Sequence, residues 1–124
     1  MNNKILIVDD ARDLLENVSQ YLTLEGFEVQ SCSNGEEALE KLKQFHPNLI
    51  ITDQFMPKLA GDELIESITK DHELDEVALA IFSASVLTKK IKEIQKVRAI
   101  GYIAKPIEME EFFAIIHTLI NSTQ

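Results

Sequence analysis

Cysteine occurs once in the 124 residues, as Cys32, so the chain can close no internal disulfide and offers no thiolate metal site. A reducing, cytoplasmic setting follows, with Cys32 expected as buried filler in a strand. Basic residues are scarce too: 12 Lys and Arg stand against 21 Asp and Glu, a formal charge of -9. That balance opposes the counterion release that drives most nucleic-acid binding, and no direct nucleic-acid contact is expected. No apolar run approaches the roughly 20 residues that cross a bilayer, and Met1-Asn2-Asn3-Lys4 opens without an apolar h-region, so a soluble protein with no membrane role is expected. Repeats, linkers and low-complexity segments are missing as well. The length fits one domain over 1–124, able to bury roughly two thirds of its unfolded surface in one core.

What is present alternates regularly. Lys4 to Val8 reads as a strand, and Leu14, Leu15, Val18 and Leu22 then recur at helical spacing until Gly26 stops them. Phe27 to Cys32 is the second strand, after which Ser33-Asn34-Gly35-Glu36 fits a capping box before a helix bearing Ala38, Leu39, Leu42 and Phe45. His46-Pro47-Asn48 breaks that helix and leads into Leu49 to Asp53. Glu63 to Thr69 reads as a short helix with a solvated exit through Lys70 to Glu76, Val77 to Phe82 as the fourth strand, and Ile91, Ile94 and Val97 as a weaker helix. Tyr102 to Ala104 is a fifth strand, and Phe112, Ile115, Ile116 and Leu119 give the last helix a regular apolar face. Near-continuous Ile/Leu/Val strands alternating with helices predict an α/β fold, a doubly wound five-stranded parallel sheet covered by five helices.

Ligands of such sheets bind at the carboxyl ends of the strands. Asp9, Asp10, Asp53, Ser83 and Lys105 all fall at or just past predicted strand ends. Singly each has a plain explanation: Asp10 or Asp13 as a cap for the first helix, Ser83 as a turn residue, Lys105 as an ion-pair partner. Together the carboxylates are different, because like charges at about 4 Å cost on the order of 4 kcal/mol per pair at an effective dielectric near 20. An oxygen-liganded cation offsets that repulsion, and the donor set suits Mg²⁺, with Mn²⁺ as second choice. An Asp53 oxygen could then attack phosphorus while the cation and Lys105 neutralise charge and Ser83 donates a hydrogen bond.

Ile7-Val8-Asp9-Asp10, Asp53-Gln54-Phe55-Met56-Pro57 with Gly61, Ser83-Ala84, and Tyr102-Ile103-Ala104-Lys105-Pro106 resemble, in this order, the motifs of response-regulator receiver domains of bacterial two-component systems. The resemblance covers essentially the whole chain. It implies a flavodoxin-like strand order 2-1-3-4-5. It further implies Asp53 as phosphoacceptor, Asp10, Asp53 and the Phe55 carbonyl as Mg²⁺ ligands, and Asp9 acting through the metal's water shell. Ser83 and Lys105 would contact the phosphoryl group, Lys105-Pro106 would be cis, and Tyr102 would be the switch aromatic that turns inward when Ser83 moves. Phe55 and Ser85 would border the path of the hydrolytic water. The implied partners are a histidine kinase or histidine phosphotransfer protein upstream and a protein partner or effector domain downstream.

Two positions depart from the family pattern. Ala60 stands where an acid often precedes the glycine, and Arg98-Ala99 replaces the usual Gly-Ala ahead of the fifth strand. The rival function is a metal-dependent α/β phosphatase or hydrolase with Asp53 as nucleophile; against it, Phe55 occupies the place where such enzymes often put a second acid. The chain closes at Gln124 soon after the last helix, as either a stand-alone regulator or a piece of a longer one would. His46, His72 and His117 lack a partner at metal-ligand spacing and are expected to be solvated. Lys89-Lys90-Ile91-Lys92 reads as a solvated helix start, with partner docking as its second role.

Overall fold

Apolar runs form the central strands of this computed structural model, which describes residues 3–121, while the strand at Glu28–Cys32 is more polar and more exposed. Met1, Asn2 and Ser122 to Gln124, at the ends of the expected domain, lie outside the described residues. The strands are β1 (Lys4–Val8), β2 (Glu28–Cys32), β3 (Leu49–Asp53), β4 (Ala78–Ser83) and β5 (Gly101–Ala104). They pair in the order β2-β1-β3-β4-β5, all parallel. Between and after them come α1 (Arg12–Leu24), α2 (Gly35–Lys41), α3 (Gly61–Lys70), α4 (Lys89–Ile94) and α5 (Met109–Asn121), with a 3₁₀ turn at His72–Leu74.

Successive side chains of a strand point to opposite faces, and here both faces are covered. Ile5, Ile7, Leu49, Ile51, Ala80 and Phe82 pack with Val18 and Leu22 of α1 and with Phe112, Ile116 and Ile120 of α5. Leu6, Val8, Ile50, Leu79 and Ile81 pack with Ala38 of α2, Leu64, Ile65 and Ile68 of α3, and Ile91 and Ile94 of α4. Burial on two sides explains why the central strands show no polar alternation. Register then aligns the strand ends: Val8 pairs with Cys32 and Thr52, Asp53 with Phe82, and Ser83 with Ala104.

Several local expectations are corrected. The α2 cap is Asn34, whose side chain accepts from the Glu37 N–H at 2.8 Å, while Glu37 reaches back to the Ser33 N–H at 3.2 Å. The cap and the returning acid are thus Asn34 and Glu37, each one residue beyond the expected Ser33 and Glu36, because the chain remains extended through Asn34 at φ -159°. Neither Asp10 nor Asp13 caps α1; its N-cap is Ala11, whose N–H is taken by Asp9 Oδ1 at 2.9 Å. Val97 is 79% exposed, since α4 ends at Ile94 before its spacing can bring Val97 inward. Phe27 precedes β2 and is buried in the core under α1 and α5.

The Arg98 departure has a structural outcome. Its Nη2 donates to the Leu74 carbonyl at 2.6 Å and the Val77 carbonyl at 2.5 Å, so the chain leaving α4 is tied to the entry of β4.

Cys32 is 1% exposed. Burial, then the charge of Glu37, pushes its thiol from 9.0 up to about 11. The fold prefers the neutral thiol, so the linked stability is complete below pH 9.0 and declines as pH rises towards 11. At pH 8 the native protein should resist iodoacetamide and the urea-unfolded chain should react; equal rates would contradict the buried thiol.

Candidate functional site

The carboxyl edge of the sheet gathers the acids. Asp9 follows Val8 and Asp53 ends β3, and the pairing of Val8 with Thr52 sets the two side by side. Asp9 is fully buried, whereas Asp10, the next residue, is exposed. One oxygen each of Asp9, Asp10 and Asp53 lies within 4.8 Å of the others, a spacing a single divalent cation can bridge. Among the described residues this is the only such group of metal-ligating side chains. His46, His72 and His117 are exposed and stand apart from it.

Lys105 closes the cluster from β5. Its Nζ lies 2.9 Å from Asp9 Oδ2 and 3.2 Å from Asp53 Oδ1, and 5.9 Å from the centre of the Phe82 ring. The Lys105 N–H donates to the Ser83 carbonyl at 2.9 Å, and the Lys105-Pro106 peptide is cis. Burial works against the Lys105 charge, but the hydrogen bond and charge of Asp9, reinforced by Asp53, outweigh it and raise its pKa. Asp53 moves up from 3.8: burial and the Asp9 charge outweigh Lys105 and the Gln54 N–H, which donates to Asp53 Oδ1 at 3.0 Å. One ammonium paired with Asp9 and Asp53, with Asp10 beside them, leaves the cluster short of positive charge, which is the condition a hard cation would relieve.

The loop after Asp53 turns sharply. Lys58 adopts φ 66°, and the Gly61 N–H donates to the Gln54 carbonyl at 3.0 Å. A Cβ on Gly61 would meet the Asp53 carbonyl oxygen at 1.8 Å, so only glycine lets α3 begin against the end of β3. Ala60 leaves this turn intact, its N–H donating to Glu63 Oε1 at 3.3 Å. Phe55 stands in the loop 60% exposed.

Ser83 is 2% exposed. Its hydroxyl donates to the Ser85 carbonyl at 2.7 Å and accepts from the Ser85 N–H at 3.1 Å. Ser85 itself is exposed. Tyr102 is 43% exposed, and its hydroxyl donates towards the Ser83 and Ser85 carbonyls at 3.3 and 3.5 Å. The switch aromatic expected from the resemblance therefore stands outward here, against the loop that carries Ser83.

Sequence reasoning passed over Gln54 as a loop residue, yet it is 0% exposed. Its Nε2 donates to Ser83 Oγ at 3.3 Å and to the Val86 carbonyl at 3.1 Å, and its Oε1 accepts from the Thr88 N–H at 2.8 Å. The available signal was its parity with Ile50 and Thr52, which assigns it to the α3–α4 side of the sheet.

The family model described as the response regulator receiver domain matches residues 5–117. A probable transcriptional regulator, ycf29, of Pyropia yezoensis is 32% identical over 120 residues, covering 97% of this chain and 54% of the relative. The alkaline phosphatase synthesis transcriptional regulatory protein PhoP of Bacillus subtilis (strain 168) is 30% identical over 129 residues, covering 51% of its length. The chain thus spans about half the length of these curated relatives. The chemotaxis response regulator CheY4 of Vibrio cholerae superposes with a TM-score of 0.86 at 26% identity, covering 96% of this chain and 99% of its own. A signal receiver domain of an HD domain-containing protein from Pseudomonas fluorescens Pf-5, at 18% identity and a TM-score of 0.89, shares the fold.

The raised Asp53 pKa has a testable sign. The fold disfavours its ionised form, so with divalent cations chelated the Asp53 charge costs stability at neutral pH, a cost that vanishes as pH falls to 3.8. Asp53→Asn should therefore melt higher than wild type in chelator at pH 7, with the gain shrinking on acidification. A melting temperature equal to or below wild type at pH 7 would contradict the electrostatic account.

Proposed function

The chain belongs to the response regulator receiver family, and on that premise we propose that residues 1–124 form one receiver unit in which Asp53 accepts a phosphoryl group. The observation that carries this reading is the meeting of Asp9, Asp10 and Asp53 within 4.8 Å, with Lys105 Nζ 3.2 Å from Asp53 Oδ1. The donor is a phosphohistidine on a sensor kinase or phosphotransfer protein. An Asp53 oxygen attacks phosphorus, the P–N bond breaks, and the imidazole leaves with the electron pair; an acyl phosphate results.

Asp10, Asp53 and the Phe55 carbonyl would hold Mg²⁺, with Asp9 beside them, and the ion would supply the positive charge that a phosphoryl group and three acids require. Lys105, already between Asp9 and Asp53, neutralises a phosphoryl oxygen from the other side. Ser83 donates its hydroxyl proton to another once it releases the Ser85 carbonyl. Tyr102 then turns inward as Ser83 moves. The output is a surface read by a protein partner or an effector domain. Its net charge of -9 argues against direct contact with nucleic acid. No helix among the described residues is long and apolar enough to cross a membrane, and we assign the chain to the cytoplasm.

The phosphatase reading has less support: Phe55, exposed two residues past Asp53, cannot serve as the general acid or base that turnover of a phosphoester calls for. The molecule acts as a switch that assists its own phosphorylation and dephosphorylation.

Acetyl phosphate with Mg²⁺ should add one phosphoryl group to wild type and none to Asp53→Asn by intact mass. Equal labelling of both, or labelling indifferent to chelator, would overturn the assignment.

Lifetime follows from the mouth of the site. Hydrolysis needs a water held in line with the acyl phosphate, and Phe55 and Ser85 border that path. Phe55 can only exclude water and Ser85 is too short to orient it, so slow self-dephosphorylation is expected, with reset through a partner. Phe55→Asn or Ser85→Glu should speed phosphoryl loss at least several-fold; rates equal to wild type in both would remove these positions from lifetime control.

A further inference from the structure

Gln54 directly follows the proposed phosphoacceptor, and its side chain is fully buried. A buried primary amide is costly unless both N–H donors and the carbonyl are paired. Here all are used, on partners spread along the whole β4–α4 connection: Ser83 Oγ at 3.3 Å, the Val86 carbonyl at 3.1 Å and the Thr88 N–H at 2.8 Å. Its backbone is tied as well, the N–H to Asp53 Oδ1 at 3.0 Å and the carbonyl to the Gly61 N–H at 3.0 Å.

The two ends of this clamp are functionally unlike. At one end, the single Ser83 hydroxyl proton is given to the Ser85 carbonyl at 2.7 Å. Donation to a phosphoryl oxygen requires that bond to break, and the oxygen that turns away is the one Gln54 Nε2 holds. At the other end, Thr88 is the N-cap of α4: its Oγ1 accepts from the Ile91 N–H at 3.3 Å and donates to Asp62 Oδ2 of α3 at 3.1 Å. The amide between them is planar and both of its N–H donors are engaged, so a shift at the Ser83 end turns the same rigid group that holds the Thr88 N–H.

We propose that Gln54 is a positioning residue that carries the movement of Ser83 to the first turn of α4, making the start of that helix part of the surface that reports occupancy of Asp53. The inference rests on the reading of Asp53 as phosphoacceptor. Both ends of the clamp bias one element, which is the physical requirement for coupling between sites.

The test is NMR of the full chain with Mg²⁺ and beryllofluoride, a phosphoryl analogue for carboxylates. In wild type, shifts are expected at Ser83 to Ser85, at Thr88 to Ile91, and in the Gln54 side-chain NH₂ pair. Gln54→Met keeps the length and has no amide; there the shifts at Ser83 to Ser85 should persist while those at Thr88 to Ile91 fall by roughly half or more. A residue that only anchored the loop would, on substitution, lower the melting temperature yet leave the α4 shifts at wild-type size, and that result overturns the proposal. So does a Gln54 NH₂ pair that beryllofluoride leaves unmoved in wild type, a measurement that stands even where Gln54→Met does not fold. A wild type with no response around Asp53 would instead overturn the phosphoacceptor reading, and this inference with it.

Discussion

Lys105 stands between two acids at the edge of the sheet, 2.9 Å from Asp9 and 3.2 Å from Asp53. Without that ammonium, a fully buried Asp9 would be an uncompensated charge, a state that costs several kcal/mol by typical measures. Its single charge cannot balance three carboxylates, and the deficit is visible in Asp53, whose pKa is raised by burial and by Asp9 despite the ion pair. The site is therefore stable enough to persist in the fold and short enough of positive charge to favour a cation. A phosphoryl group adds further negative charge and has the same need.

The geometry that brings these groups together is almost entirely backbone. Parallel register sets Asp9, Asp53, Ser83 and Lys105 on neighbouring strand ends through the pairings of Val8 with Thr52, Asp53 with Phe82, and Ser83 with Ala104. Gly61 then lets α3 approach so closely that a Cβ would sit 1.8 Å from the Asp53 carbonyl oxygen. Apolar layers on both faces hold the strands in this register, since a slip of one residue would reverse which side chains each layer receives. Core packing and site geometry are thus one constraint.

The β4–α4 connection behaves differently. It is held by polar contacts to Gln54, by Ser83 and Ser85 bonding to each other, and by the Tyr102 hydroxyl at 3.3 and 3.5 Å. Val86 within it is 82% exposed. Hydrogen bonds exchange partners at small net cost, because each typically contributes only about 1 kcal/mol, whereas a buried Leu or Ile layer does not rearrange so readily. A rigid acid cluster beside a loop with exchangeable bonds suits a molecule whose chemistry is fixed and whose surface must change.

By itself the sequence determined the sheet and the acids. Short apolar runs ending in Asp9-Asp10, Asp53 and Ser83, alternating with helical patterns, read as strands buried on two faces, and a parallel sheet delivers their ends to one edge. Strand order came only through the resemblance that the spaced motifs carry, and the observed order β2-β1-β3-β4-β5 agrees with it. Tertiary structure alone decided the local hydrogen bonding. Asn34 rather than Ser33 caps α2, Asp9 rather than Asp10 or Asp13 serves the start of α1, and Val97 falls outside α4, each set by where the backbone leaves its extended or helical path. Gln54 was hidden for a further reason: its partners Ser83, Val86 and Thr88 lie 29, 32 and 34 residues along the chain. Hydrophobic period reports which side of a strand is buried, but a polar side chain's partners depend on which distant backbone groups the fold leaves unpaired beside it.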